Sequence, residues 1–394
     1  MTRYMHELPE WPAFQWDHKR LIDPLAAVRY KHGRLIGKME SLGLSLREQA
    51  VLRTLTMDVL KSSEIEGQFL DPDRVRSSIA DRLGIGEKLW LPPDHRVDGV
   101  VDMMLDATQQ FSHPLTAARL HGWHALLFSS GFSGGHRIRV GGWRDDAKGP
   151  MQVVSAEVDP ERRTVYFEAP AADRVPAEMA AFLVWFDDSF NALGRDGMDS
   201  VLRAGIAHLW FVTIHPFDDG NGRIARAIMD MALAQSENSA LRFYSMSAQF
   251  RRERKAYYAM LEATQKRADL DLTAWLEWFI ASLDRALAHV DAELDLVLRK
   301  AHFWDKHHDT ALNPRQTNML NRLLDGTVEH ITSSKWAKII GGGLSHDTAL
   351  RDIAALIALG ILIKDPEEGG RSTRYLLVRS MTMAGPQGPP ARPE

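Results

Sequence analysis

At 394 residues the chain exceeds what one hydrophobic core usually organises, so two or three compact units are expected. A hydrophobic content of 45% with 25% charged residues excludes a disordered or fibrous class. The formal charge of −4 excludes chain-wide attraction to nucleic acid or anionic lipid, and the absence of cysteine excludes disulfides, thiolate nucleophiles and cysteine-ligated zinc.

The opening stretch, Met1-Thr2-Arg3-Tyr4-Met5-His6, lacks the apolar core of a signal peptide, and no later apolar run approaches the ~20 residues of a bilayer span. The sequence therefore reads as cytoplasmic, with no membrane partner. Trp11, Phe14 and Trp16 beside Pro9 and Pro12 predict that the first forty-odd residues form a docking arm on the body of the chain, not a long regular element. Ser45-Leu46-Arg47-Glu48 has a capping-box pattern, so Ser45 is expected to cap a helix with Val51, Leu52, Leu55 and Val59 on one face. That helix should stop near Glu66-Gly67, where glycine suits a left-handed C-cap.

From about Val97 to Leu287 the pattern is mainly helical, including 115–128, 176–190, 201–213 and 224–234. Two short strands, 152–156 and 164–168, interrupt it and predict a lone hairpin on a helical body. Further on, helices at 315–324, 334–340 and 345–359 precede strands at 361–364 and 374–378, with Gly341–Gly343 between the last two helices. Three helices and a two-stranded wing describe a winged helix. Over 313–378, eight basic residues face seven acidic ones, well short of a basic DNA-reading surface. The end, 381–394, is compositionally a disordered tail.

The chemistry concentrates in His215-Pro216-Phe217-Asp218-Asp219-Gly220-Asn221-Gly222-Arg223. Gly220-Asn221-Gly222 places unhindered backbone N–H groups at the start of a helix, a ready anion site. Arg223 and Arg226, on one face of the first turn, add charge suited to bidentate phosphate contact. Asp219 supplies a hard oxygen beside that cradle, the usual way Mg²⁺ is held together with phosphates. Pro216 breaks the preceding helix so that His215 can face the loop, where a near-neutral pKa suits it to accept a hydroxyl proton. Taken singly, a His-Pro step is usually structural and a glycine pair usually a turn. Nine contiguous residues make coincidence implausible.

His215 to Arg226 resembles the Fic motif, H-P-F-x-D/E-G-N-G-R-x-x-R, at every fixed position. The resemblance implies a mainly α, helical Fic fold with a small β-hairpin flap, and transfer of AMP from ATP to a Ser, Thr or Tyr hydroxyl of a target protein. It implies His215 as general base, Asp219 as Mg²⁺ ligand, and Gly220, Asn221 and Gly222 as the α/β-phosphate hole. Arg223 and Arg226 would then hold the outer phosphates, Phe217 would anchor the loop in the core, and Tyr258 would approach adenine. The hairpin at about 151–168, entered by Gly142-Trp143-Arg144, would hold the target segment by strand pairing.

Ser62-Ser63-Glu64-Ile65-Glu66-Gly67 resembles the inhibitory motif S/T-x-x-x-E-G/N of the self-inhibited members of that family whose inhibitory helix precedes the Fic core. Its residues Ser62, Glu66 and Gly67 imply a brake in which Glu66 pairs with Arg226 and competes with the γ-phosphate. In some relatives the same glutamate supports removal of AMP. The implied layout is 1–96 for the N-terminal region with its arm and inhibitory helix, 97–287 for the catalytic domain, 288–312 for a helical linker, 313–380 for the winged helix and 381–394 for the tail. The opening resembles a region of uncharacterised domain type found before many bacterial Fic cores. A DNA-binding regulator that senses nucleotide is the second reading, a different phosphate-linked donor the third, and a metal-dependent hydrolase using His208, His215 and Asp219 the weakest. His208 reads as a packing residue. Homodimerisation and DNA binding stay open.

Overall fold

The computed structural model describes residues 4–40, 42–85, 94–147, 149–154, 164–191, 198–324, 328, 330–340, 345–365 and 373–378. In chain order a 3-10 turn (Met5–Glu7) leads into α1 (His18–Glu40), α2 (Leu44–Ile65), α3 (Pro72–Leu83), α4 (His95–Gln109) and α5 (Ala117–Leu127). Two strand pairs come after them, β1 (Phe132–Ser133) with β2 (His136–Arg137) and β3 (Gln152–Val154) with β4 (Val165–Glu168). Next are α6 (Val175–Asn191), α7 (Ser200–Ile214), α8 (Asn221–Glu237), α9 (Met246–Arg252), α10 (Arg254–Gln265) and the 34-residue α11 (Thr273–Lys306). The chain finishes with α12 (Pro314–Leu324), α13 (Ser333–Ile340), α14 (His346–Ala358), β5 (Leu362–Lys364) and β6 (Tyr375–Leu377).

Residues 1–290 form one compact unit and 291–394 another, the division falling inside α11. The first contains the regions expected at 1–96 and 97–287. At its centre lie α7 and α8, each buried along nearly its whole length. A helix buried on all sides can exist only as a central element; α6 packs on α7, α2, α4 and α5 pack on α8, and α3 and α9 pack in turn on α2.

The arm packs through its aromatic residues: Trp11 and Phe14 meet Trp210 edge-on, with centroids 6.3 Å and 5.3 Å away, and Trp11 Nε1 donates to Glu178 at 2.8 Å. The expectation of no long regular element in this region is corrected by α1, which runs 23 residues directly after the arm. Leu21, Leu25, Val28, Leu35 and Met39 are its buried stripe, at helical spacing that Pro24, Gly33 and Gly37 obscure in the sequence. A second correction concerns α2, which starts at Leu44 with Gly43 in the N-cap position, so that the expected cap, Ser45, lies inside the helix.

The expectation of a lone hairpin also fails, since β1–β2 is a second one. The predicted hairpin is present as β3–β4, antiparallel with Gln152 opposite Glu168 and Val153 opposite Phe167. Phe167 is buried against Tyr4, whereas Val154 and Tyr166 stay exposed. Residues 155–163, between the two strands, lie outside the described residues.

In the second unit Met319, Leu320, Ile331, Trp336, Ile353 and Leu356 build a core against which β5 and β6 pair in antiparallel register. Ile331 bridges to Tyr375 beside them. Arg315, one of the basic residues counted above, is held by Asp352 at 2.8 Å. Gly341–Gly343, the turn between β5 and β6, and the tail at 381–394 lie outside the described residues.

Candidate active site

Helix α7 ends because Pro216 disfavours a right-handed helical conformation at the residue before it. His215 takes a left-handed conformation, φ 52° and ψ 58°, and not the extended one usual before proline, while its N–H still closes the last turn on Phe211 at 3.0 Å. A left-handed non-glycine residue costs about 1 kcal/mol or more. Its surroundings hold it there. Arg144, buried, donates from Nε to the His215 carbonyl at 2.8 Å and from its backbone N–H to the Pro216 carbonyl at 2.9 Å. One terminal nitrogen donates to the Pro170 carbonyl at the exit of β4, and the other pairs with Asp146 at 2.9 Å. Arg144 therefore ties His215 to the exit of the β3–β4 hairpin, a contact beyond the flap entry expected for Gly142-Trp143-Arg144.

The His215 Nδ1 lies 3.2 Å from the Val212 carbonyl, which can only accept, so in the neutral ring the proton sits on Nδ1 and Nε2 keeps its lone pair. Desolvation is the main influence on this imidazole and lowers its pKa to about 4, outweighing the Val212 hydrogen bond. At neutral pH the ring is an uncharged acceptor.

Phe217 is fully buried, and the His124 ring stacks on it at 4.3 Å. Burial pulls the pKa of His124 down to about 4, while its Nδ1 accepts from the Gly141 N–H at 3.1 Å. Asn221 was expected to serve the phosphate hole together with Gly220 and Gly222, and its side chain turns back on Phe217. Its Oδ1 accepts from Phe217 N–H at 3.0 Å and its Nδ2 donates to Phe217 C=O at 2.8 Å, closing the loop on itself. What Asn221 offers an anion is its backbone N–H at the start of α8. Gly220 stands before it at φ 81°, and a Cβ there would lie 2.8 Å from the Phe128 ring. That position requires glycine twice over.

Asp219 is the carboxylate beside this helix start. One oxygen accepts from the Gly220 N–H at 2.5 Å and the other from the Ser133 hydroxyl of β1. The adjacent Asp218 accepts from the Arg139 N–H at 2.8 Å. No cluster of three His, Asp or Glu side chains able to hold a metal occurs among the described residues. A single carboxylate next to an anion cradle nevertheless fits a hard divalent cation that takes its other ligands from phosphates and water. His208 stands apart from this set, buried, hydrogen-bonded to the Tyr257 hydroxyl at 2.8 Å and stacked on Trp275.

The end of α2 lies directly over the cradle. Ser62 and Glu66 both converge on the fully buried Arg226: Nε donates to Ser62 Oγ and one terminal nitrogen to Ser62 C=O, each at 2.8 Å, and that nitrogen also reaches Glu66 Oε1 at 2.7 Å. Burial opposes the charge on Arg226, but Glu66 beside it leaves its pKa raised overall. The same Glu66 oxygen fills the space that a Cβ on Gly222 would need, so the carboxylate sits against the helix start itself. Glycine at 222 is what allows this approach. Past the left-handed turn at Gly67, Gln68 Oε1 accepts from Arg223 at 2.8 Å. Arg223 is buried, faces the Phe128 ring at 5.0 Å, and keeps a buried Nε without an acceptor among the described residues.

From the other side, Arg254 of α10 donates to the Ile65 carbonyl at 3.0 Å and lies over the Tyr258 ring at 5.2 Å. The Tyr258 hydroxyl is 3.5 Å from that carbonyl. Of the residues singled out from the sequence, the structure brings Ser62, Glu66, Arg223, Arg226 and Tyr258 together here, and beside them stand Gln68, Ser133 and Arg254, which the sequence reading did not single out. Gln68 carried a faint signal, standing two residues past Glu66 across a glycine turn.

The Fic/DOC family pattern matches residues 114–233, and residues 4–85 match a domain of unknown function (DUF4172). The uridine 5'-monophosphate transferase of Xanthomonas campestris pv. campestris (strain 8004) is 31% identical over 121 residues, 30% of this chain and 21% of that protein. Protein adenylyltransferase fic-1 of Caenorhabditis briggsae is 36% identical over 70 residues, 18% of this chain and 13% of that protein. The chain thus spans about a fifth or less of these curated relatives. A crystal structure of a Fic family protein from Desulfovibrio desulfuricans G20 shares the fold, with a TM-score of 0.50 at 20% identity over 94% of this chain and 99% of that one.

Proposed function

We propose, for a chain that carries a Fic/DOC family domain over residues 114–233, that it is a protein adenylyltransferase held in check by its own α2. The observation that carries this reading is the Glu66 carboxylate, 2.7 Å from Arg226 and packed against Gly222, in the place an outer phosphate would take. An anion bound by the fold's own side chain supports an anion site, and its removal would free a buried arginine for ATP.

In the reaction the hydroxyl oxygen of a target Ser, Thr or Tyr attacks the α-phosphorus of ATP, and His215 Nε2 accepts the hydroxyl proton. The new O–P bond forms as the bond to the β-phosphate oxygen breaks, and pyrophosphate leaves. The α8 N–H groups and Arg223 bind the phosphates, Tyr258 flanks the base, and the flap aligns the target backbone by strand pairing. Mg²⁺ held by Asp219 and the phosphates would neutralise charge on the leaving group. The same Glu66 carboxylate, beside the cradle, suits removal of AMP by holding a water at phosphorus.

The test is intact-mass analysis of Glu66→Gly protein after incubation with Mg²⁺ and, separately, ATP, UTP, GTP or CTP. One AMP added from ATP supports the reading, a different nucleotide adduct changes the donor, and no adduct on the chain or on lysate proteins refutes it.

A further inference from the structure

The brake expected from the sequence has one arm, Glu66 on Arg226. The structure places a second side chain on the second phosphate-facing arginine. Across the turn at Gly67 (φ 78°) the chain reverses so that Glu66 and Gln68 address different arginines: Oε1 of Glu66 at 2.7 Å from Arg226 and Oε1 of Gln68 at 2.8 Å from Arg223. Arg223 is buried, so the Gln68 oxygen meets a donor already stripped of much of its water. The two arginines occupy the first and second turns of α8, whose N–H groups point at the same space.

We infer that Gln68 is a second latch of the resting state, independent of Glu66, and that full access of a nucleoside triphosphate requires both oxygens to be displaced. The inference rests on the reading of this loop as a triphosphate site. Two phosphate groups must replace two protein oxygens, one on each arginine. A ligand with a single phosphate in the α8 cradle displaces neither fully. Because Gln68 is neutral and exposed, its hold on Arg223 is the weaker of the two, making it the arm that yields first.

The test is titration calorimetry of ATP and of AMP on full-length protein carrying His215→Ala, so that no turnover intervenes. In that background Gln68→Ala should tighten ATP binding by about three- to tenfold, and should do so again when Glu66→Gly is already present. Gln68→Glu, of the same size, should weaken ATP binding by a similar factor through a charged pair with Arg223. AMP affinity should move by less than about twofold in each. If Gln68→Ala and Gln68→Glu both leave ATP affinity within about twofold while Glu66→Gly tightens it, the second latch is refuted and the site reading stands. If Glu66→Gly and Arg223→Ala also change nothing, the triphosphate site itself is wrong.

Discussion

Glu66 and Arg226, 160 residues apart in the chain, meet at 2.7 Å, with the arginine fully buried and the carboxylate about a third exposed. The pair joins the C-terminal end of α2 to the first turns of α8. Because Ser62 also gives Arg226 both its hydroxyl and its carbonyl, the guanidinium stays partly satisfied when Glu66 is removed. Glu66→Gly should therefore fold, and should open the cradle without dissolving the α2–α8 contact.

Base chemistry should persist at mildly acidic pH. Desolvation pulls the His215 pKa to about 4, below the ordinary 6.5, so the ring stays neutral where an exposed histidine would be half protonated. In the Glu66→Gly protein, kcat/KM corrected for the ionisation of ATP should stay level from about pH 8 to pH 6 and fall only below that. A limb centred near 6.5 would show that the working imidazole is solvated.

Asn221→Ala should weaken the fold before it weakens phosphate contact. It leaves the buried N–H and C=O of Phe217 without partners, at a cost of roughly 2–4 kcal/mol. Thermal unfolding should show a fall of roughly 5–10 °C, and an unchanged Tm would remove Asn221 from its role as the loop's closure.

Arg144→Lys keeps the charge but loses the fork that reaches His215, Pro170 and Asp146 together. Because these contacts hold His215 and the exit of the β3–β4 hairpin, and the proposed mechanism makes these the base and the flap, kcat of the Glu66→Gly protein should drop about tenfold or more, with KM for ATP changing far less. An equal rise in KM would instead place Arg144 in nucleotide binding.

Asp219→Asn retains an acceptor for Ser133 or Gly220 but not the charge. ATP binding to His215→Ala protein should tighten when Mg²⁺ is added, and this gain should be lost on introducing Asp219→Asn. A gain that survives the substitution would assign the cation to another ligand.

The candidate loop at 215–226 was legible because its chemistry is contiguous: helix breaker, acid, glycines and arginines stand within twelve residues, and backbone rules alone place them at a helix start. The contact of Ser62 and Glu66 with Arg226 was legible in type for a similar reason, since the two residues stand one helical turn apart. Elsewhere the signal was local but masked, as in α1, where Pro24 and two glycines interrupt a stripe running from Leu21 to Met39. Strands β1 and β2 are two residues each around Gly134-Gly135, too short for any period to show. Side-chain destinations were beyond reach where partners are remote, as for Gln68 and Arg223, 155 residues apart. Asn221 illustrates the opposite limit: its partner is only four residues away, yet which of its groups turns inward depends on how the loop closes.

Whether Glu66 holds the place of an outer phosphate is tested most directly by the rate of protein labelling from α-labelled ATP. Wild type, Glu66→Gly and Glu66→Gly/His215→Ala would be compared at equal concentration. Glu66→Gly should label at least about tenfold faster than wild type, and the double variant should label at background. Equal labelling by wild type and Glu66→Gly, both dependent on His215, would show that the carboxylate on Arg226 restrains nothing.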